Sequence, residues 1–168
     1  MKIFDCFMYF DEDIVLDVRL NYLDKYVDKF IIIESKYNHK GEKRTPLFNI
    51  DKFKKFENKI KYILTNEIPT GIENIKADDN KSEIYRKSIF NAWKRENLQR
   101  NQISEGLSDA QEEDWVIISD LDEIPNLSEI KLKNINDNFV FFKQDMMYYK
   151  FNLRLENYIW VGSKACKM

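Results

Sequence analysis

The sequence lacks long apolar runs and any strong excess of charge, and both absences exclude classes of protein. A membrane span needs about 20 consecutive apolar residues, and a signal peptide needs an apolar core, so we expect neither. The 27 basic and 29 acidic residues are well mixed and give a net charge of −2. Because no strong positive field is expected, nucleic acid is not a predicted partner.

Cysteine is also scarce, and the two cysteines, Cys6 and Cys166, do not have the spacing of metal ligands. Cys6 lies in an apolar run, which predicts a buried free thiol rather than a disulfide. A free thiol favours a reducing compartment, so we expect a cytoplasmic protein. The sequence shows no internal repeat, low-complexity tract or linker, and its 168 residues predict one domain spanning 1–168.

The most informative segment is the apolar run 115–118, which leads through Ser119 into Asp120-Leu121-Asp122. A continuous apolar run predicts a strand buried on both faces, and open α/β sheets bind ligands at the carboxyl ends of such strands. Two carboxylates there suit Mg²⁺ or Mn²⁺, which in turn holds a diphosphate. Acidic residues after strands also serve as turn formers and helix caps, so the motif alone leaves both interpretations open. The apolar run and the adjoining Glu123 favour the metal site.

Strands and helices alternate along the rest of the chain. Apolar runs predict strands at 2–10 and 30–34, and an alternating pattern predicts one at 59–65. Aromatic runs follow at 139–142 and from 147 to 158. A stripe at helical spacing predicts a helix after the first strand; it consists of Leu16, Leu20, Leu23 and Val27. A short helix is expected near 51–57 and a loop at 67–79. This alternation predicts a three-layer α/β fold with a mostly parallel central sheet.

Several polar residues are expected at one edge of that sheet. Glu34 ends the second strand, and we expect it to lie beside Asp120 and the segment after Phe7, because parallel strands share their carboxyl ends. Arg19 lies beside the apolar stripe and is expected to reach a carboxylate at this edge. The single histidine, His39, is in the following loop, where both an idle solvated role and a ligand contact remain open.

A long helix is predicted from Asn80, which forms a capping-box pattern with Glu83, to about Glu105, with Gly106 ending it. One face of this helix is a largely apolar stripe; it reads Tyr85, Ile89, Ala92, Glu96, Gln99 and Ile103. Burial of Glu96 on that stripe requires a partner, and Arg95 and Arg100 flank it. The cluster is either a structural set of ion pairs or a source of positive charge for a diphosphate.

These separated motifs together resemble glycosyltransferase family 17, the β-1,4-mannosyl-glycoprotein β-1,4-N-acetylglucosaminyltransferases. The matching stretches are 5–7, 16–20, 27–34, Gly41, 95–100, 106–107, 119–125 and 160–162. The resemblance covers most of the chain. It implies a GT-A fold and inverting transfer of N-acetylglucosamine from a UDP-sugar donor to a glycan or glycoconjugate acceptor.

The resemblance also implies roles for particular residues. Asp120 and Asp122 would hold Mn²⁺ or Mg²⁺. The residues expected to bind the nucleotide sugar are Phe7, Glu34, Arg95, Glu96, Arg100 and Asp120. A carboxylate would act as the base on the acceptor hydroxyl, and the candidates are Glu123 and Asp145, with Glu156 further along the chain.

Members of this family continue beyond the segment that matches Trp160, into a region with a Trp-His segment suited to a third metal ligand. The resemblance therefore implies that this chain lacks the C-terminal part, and a nucleotide-sugar-binding protein without turnover is one alternative. The other is a phosphatase of the haloacid dehalogenase type, with Asp120 as nucleophile and Asp122 as acid–base. That mechanism needs a later lysine and a further acidic pair.

Overall fold

The computed structural model describes residues 1–150 and 152–168, which form a mixed α/β fold around a six-stranded sheet. The strands of this sheet are β1 (Ile3–Tyr9), β2 (Lys29–Ser35), β3 (Ile60–Thr65), β4 (Trp115–Ser119), β5 (Phe139–Phe141) and β8 (Lys164–Lys167). A second, two-stranded sheet contains β6 (Gln144–Met147) and β7 (Arg154–Trp160). The helices are α1 (Asp13–Leu23), α2 (Lys81–Asn101) and α3 (Ile103–Gly106), with 3₁₀ turns at Ile50–Phe56 and Leu132–Asn134.

The central sheet has the strand order β3-β2-β1-β4-β8-β5. The first four of these strands run parallel, whereas β8 is antiparallel to both β4 and β5. Tyr9 of β1 pairs with Glu34 of β2, and Phe7 pairs with Ser119 of β4, so the three strands end at the same edge. The mostly parallel sheet and the predicted strands that build it are confirmed.

Helices cover both faces of the sheet because the strands are apolar on both sides. On one face α1 packs Leu16, Leu20 and Leu23, all fully buried, into the larger apolar cluster. This confirms the predicted stripe. On the other face Ile103 of α3 joins a smaller cluster that contains Cys6. Cys6 is a buried free thiol, as predicted, and its burial raises the pKa of the thiol well above the ordinary value.

The long helix differs from its prediction in the residue at which it ends and in the exposure of its first turns. The capping box is present, because Asn80 and Glu83 exchange side-chain to backbone hydrogen bonds of 3.0 Å. However, α2 ends at Asn101, and Gly106 ends the separate helix α3. Tyr85 is 70% exposed, so the expected stripe is not buried near the start of the helix.

The reason for the exposed start of α2 is that a polar loop, rather than the sheet, packs against it. Asn91 accepts a hydrogen bond from the backbone N–H of Glu73 and donates one to its carbonyl. Lys87 forms an ion pair with Asp79 of the same loop. This loop occupies the predicted segment 67–79. Among the helices of the described residues, none combines the length and the apolar character that a membrane span requires.

Candidate functional site

A cavity of about 710 Å³ opens at the carboxyl edge of β1, β2 and β4. Its walls come from residues 8–10 at the end of β1, Ser35 and the loop after β2, the acidic segment 120–122 and one face of α2. This volume lies within the range of small-molecule binding sites. The predicted gathering of Glu34, Asp120, Asp122 and the segment after Phe7 at one edge of the sheet is therefore confirmed.

Asp120 and Asp122 both line this cavity. Arg100 of α2 donates a hydrogen bond of 3.0 Å to Oδ1 of Asp120 and another of 2.8 Å to Oε1 of Glu96. Arg100 thus links the long helix to the edge of the sheet that carries Asp120. Glu96 therefore has the partner that its place on the stripe requires, although the Arg100 and Glu96 side chains are about one third exposed and the ion pair is half-buried.

The surroundings of Asp120 concentrate negative charge. Burial raises the pKa of its carboxyl group, and the neighbouring carboxylates of Glu123, Glu96 and Asp122 raise it further, whereas Arg100 lowers it. Burial and the neighbouring carboxylates thus disfavour the charged form of Asp120 and together outweigh Arg100. A cation placed among these groups would relieve the repulsion.

Arg19 of α1 lies beneath this edge and is fully buried. Its Nε and Nη2 donate to the two carboxylate oxygens of Asp5 at 2.8 and 2.6 Å, and Nη2 also donates to Oγ of Ser119 at 2.6 Å. The guanidinium lies 4.5 Å from the ring centre of Phe7. Arg19 contacts a carboxylate, as predicted, but this carboxylate belongs to Asp5 within β1 and not to a residue at the sheet edge. The partner was not anticipated, although an acid inside the apolar run of β1 was a visible signal.

The remaining nitrogen of Arg19 binds the backbone of the acidic segment. Nη1 donates to the carbonyl oxygens of Asp120 and Leu121, each at 2.9 Å, and to that of Glu123 at 3.3 Å. Buried carbonyl groups need such partners, since an unpaired one is costly. Arg19 therefore fixes the backbone that carries both aspartates. The sequence alone gave no indication of these contacts.

Glu123 is held from the other side of the same segment. One carboxylate oxygen accepts the backbone N–H of Asp120 at 3.0 Å, and the other accepts the indole N–H of Trp160. The Glu123 carbonyl accepts the hydroxyl of Ser163 at 2.7 Å. A Cβ added to Gly162 would lie 2.1 Å from the Glu123 carboxylate, which explains the glycine. Glu123 thus uses its carboxylate to shape the segment and does not line the cavity, which argues against its expected role as the base.

The sequence profile of glycosyltransferase family 17 matches residues 1–166. The chain belongs to glycosyltransferase family 17. Comparison with individually curated proteins gives no significant match. Membership confirms the resemblance and gives the class of activity, transfer of a glycosyl group from a nucleotide-sugar donor to a glycan acceptor. It also removes the phosphatase alternative.

Two of the expected donor-binding residues of this family 17 protein lie below the cavity rather than in its wall. Phe7 and Glu34 are both fully buried. Glu34 accepts hydrogen bonds from the hydroxyl of Tyr62 at 2.8 Å and from the backbone N–H groups of 47 and 48, and forms an ion pair with Arg44 at 3.0 Å. Phe7 and Glu34 therefore do not line the cavity, and protein groups already surround both side chains.

Arg95 and Asp145 are also outside the cavity wall. Arg95 donates to the carbonyl of His39 at 3.0 Å, and it packs so closely on Gly41 that a Cβ there would lie 2.4 Å from the guanidinium. Gly41 also has a positive φ of 88°, which a larger residue would adopt with strain. Asp145 lies on β6 in an exposed ion pair with Arg154, so its placement does not support a role as base.

Further residues that line the cavity come from the segments after strand ends, and no sequence motif had indicated them. Phe10 and Tyr37 contribute aromatic side chains, and Arg44 lies 4.0 Å from the ring centre of Phe10. His39 and Lys40 also line the cavity of the family 17 protein, which favours a ligand contact for this histidine over an idle one.

The donor set at this edge fits a divalent cation that shares its shell with a substrate. Within 1–150 and 152–168 there is no cluster of three or more His, Cys, Asp or Glu side chains suited to a metal. Asp120 and Asp122 supply hard oxygen atoms facing the cavity. Mg²⁺ sites often use one or two carboxylates and complete the shell with phosphate and water. The residues present therefore fit such an ion.

Proposed function

We propose that this chain is a metal-dependent, inverting glycosyltransferase with a GT-A fold that transfers N-acetylglucosamine from UDP-GlcNAc to a glycan acceptor. The proposed metal dependence is supported by one observation: Asp120 and Asp122 lie in the wall of a cavity at the carboxyl edge of the parallel strands. The donor sugar and the inverting course rest on the family to which the chain belongs.

The charges around the cavity support the binding of a nucleoside diphosphate. Asp120 and Asp122 would hold Mn²⁺ or Mg²⁺, which when bound would stabilise negative charge on the departing UDP. Arg100, Lys40 and Arg44 bring fixed positive charge to the same region, where it favours phosphate oxygens.

The apolar part of the wall supports the binding of the base. Phe10 is 43% exposed and lies in the wall with Tyr37. Aromatic side chains offer flat faces on which a planar nucleobase stacks favourably. The cavity thus has an aromatic region for a base and a charged region for a diphosphate.

A binding protein without turnover is a second candidate, and one observation favours it. Glu123 and Asp145, the two carboxylates expected to act as base, both bind protein groups outside the cavity wall. We therefore assign neither of them as the base of the proposed reaction. A UDP-release assay with UDP-GlcNAc and a saccharide acceptor separates the enzyme from the binding protein.

Calorimetry of UDP with Mn²⁺ and with excess chelator tests the proposed site. We expect Mn²⁺ to raise the affinity for UDP about tenfold or more, within the usual range of coupling between two ligands. Asp122→Asn should remove most of this coupling and leave the fold intact, because it removes one charged ligand from an exposed position.

The matched control is Asp145→Asn, since Asp145 is an exposed aspartate in a surface ion pair away from the cavity wall. Such pairs contribute little to stability. We expect this variant to bind UDP as the unchanged protein does. Equal UDP affinity with Mn²⁺ and with chelator in the unchanged protein would contradict the proposed function.

A further inference from the structure

The acidic loop, which we define as residues 119–123, takes its shape from one arginine on a distant part of the chain. Arg19 is about 100 residues away in sequence, and it contacts the loop through one hydroxyl and three carbonyl groups. Every nitrogen of its guanidinium donates to the protein. Arg19 does not line the cavity, so its effect on a ligand is transmitted through the loop.

The charge of Arg19 is compensated within the protein. Asp5 is fully buried and binds the guanidinium through both of its carboxylate oxygens. A paired guanidinium of this kind acts on its other partners mainly through the direction of its N–H groups. The negative charge of the acidic loop itself therefore remains facing the cavity, where a cation would bind.

The direction of the carbonyl groups determines the direction of the aspartates. The carbonyl oxygens of Asp120, Leu121 and Glu123 converge on a single nitrogen of Arg19, beneath the loop. A peptide group is planar, so fixing the carbonyls restricts the backbone angles between them. Asp120 and Asp122 consequently stay on the cavity side of the loop.

We propose that Arg19 is a positioning residue for the divalent cation, and that it sets the spacing and direction of the two carboxylates before metal and nucleotide bind. This inference rests on the proposed function, since it concerns the same site. Groups that orient metal ligands commonly change metal affinity about 10- to 100-fold when they are altered.

Arg19→Lys is the principal test. Lysine keeps the charge but has a single ammonium group, so it cannot bind Asp5 through two parallel bonds and hold three carbonyls at once. We expect the factor by which Mn²⁺ raises UDP affinity to fall about tenfold or more. UDP affinity in excess chelator should change less than about twofold, because Arg19 does not line the cavity.

The matched control is Asp114→Asn, which alters a buried carboxylate just before the opposite end of β4. Asp114 accepts the backbone N–H groups of Lys2 and Gln111, so its loss should lower the urea midpoint. The coupling between Mn²⁺ and UDP should stay as in the unchanged protein. This control separates lowered stability from a disturbed site.

Ser119→Ala is the second variant, and it decides the matter if Arg19→Lys does not fold. It removes only the hydroxyl that accepts from Arg19 at 2.6 Å, and should lower the coupling several-fold. The inference would be overturned if folded Arg19→Lys showed the same coupling as the unchanged protein. If Arg19→Lys does not fold, unchanged coupling in Ser119→Ala would overturn it. Absence of coupling in the unchanged protein would instead overturn the proposed function.

Discussion

Gly162→Ala probes the hydrogen bond that ties Trp160 to the acidic loop. A Cβ at this position would lie 2.1 Å from Oε1 of Glu123 and 2.3 Å from Nε1 of Trp160, between the two partners of the bond. Glu123 is a flexible side chain and can swing away to relieve the clash. The relief breaks its bond to Trp160 and strains its second bond, to the backbone N–H of Asp120.

The expected loss of stability follows from those bonds. A hydrogen bond to a charged group contributes about 1.5–3 kcal/mol, and this one is partly exposed, so we expect a cost of about 1–2 kcal/mol. With a urea dependence of about 2 kcal/mol per molar, the unfolding midpoint should fall by about 0.5–1 M. The coupling between Mn²⁺ and UDP should also weaken, because Glu123 no longer fixes the amide of Asp120.

Gly106→Ala is the steric control for this prediction. Its Cβ would lie 2.2 Å from Cγ2 of Ile31, a β-branched side chain that adjusts poorly. Overpacking of this kind costs about 1–3 kcal/mol, so the control should be destabilised at least as much as Gly162→Ala. Its coupling between Mn²⁺ and UDP should be unaltered. Equal loss of coupling in both variants, or full coupling in Gly162→Ala, would refute the reasoning.

Two further predictions concern stability alone. The pKa of Asp114 is lowered, since burial opposes its charge but the backbone N–H groups of Lys2 and Gln111 outweigh that effect. A carboxyl group whose pKa is lowered on folding stabilises the protein at pH values above its unfolded pKa of about 4. This contribution is lost as the pH falls through the pKa of the folded state. In Asp114→Asn, the free energy of unfolding measured in urea should therefore fall less steeply on the acid side. Asn80→Ala removes the side-chain oxygen that accepts the backbone N–H of Glu83 in the capping box of α2 and should cost about 0.5–2 kcal/mol by urea unfolding; a change below about 0.3 kcal/mol would count against the cap.

The sequence predicted those parts of the fold that depend on local patterns. The strand β4 and the motif after it follow from a continuous apolar run, and α1 follows from the stripe of leucines. The short strand β8 was not predicted, because the segment Lys164–Lys167 has no clear apolar alternation. Its position beside β4 depends on pairing with a strand about 50 residues earlier.

In the candidate site, too, local patterns predicted some features and missed those that depend on distant parts of the chain. Glu34 and Asp120 both stand at or just beyond the end of an apolar strand, yet only Asp120 lines the cavity. The difference arises from Arg44 and Tyr62, which surround Glu34 and come from later segments of the chain. The direction of a carboxylate at a strand end thus depends on distant partners, which periodicity and spacing do not reveal.

The place of β8 in the sheet has a consequence for the order of folding during synthesis. When a nascent chain has emerged to about residue 130, β1 can pair with one side of β4. The backbone hydrogen-bonding groups on the other side of β4 have no partner strand until residues 164–167 are made. The exposed edge then belongs to an apolar strand, Trp115–Ser119, of the kind that pairs with other chains. Pairing with β8 converts β4 into an interior strand, so this apolar edge is no longer available to other chains.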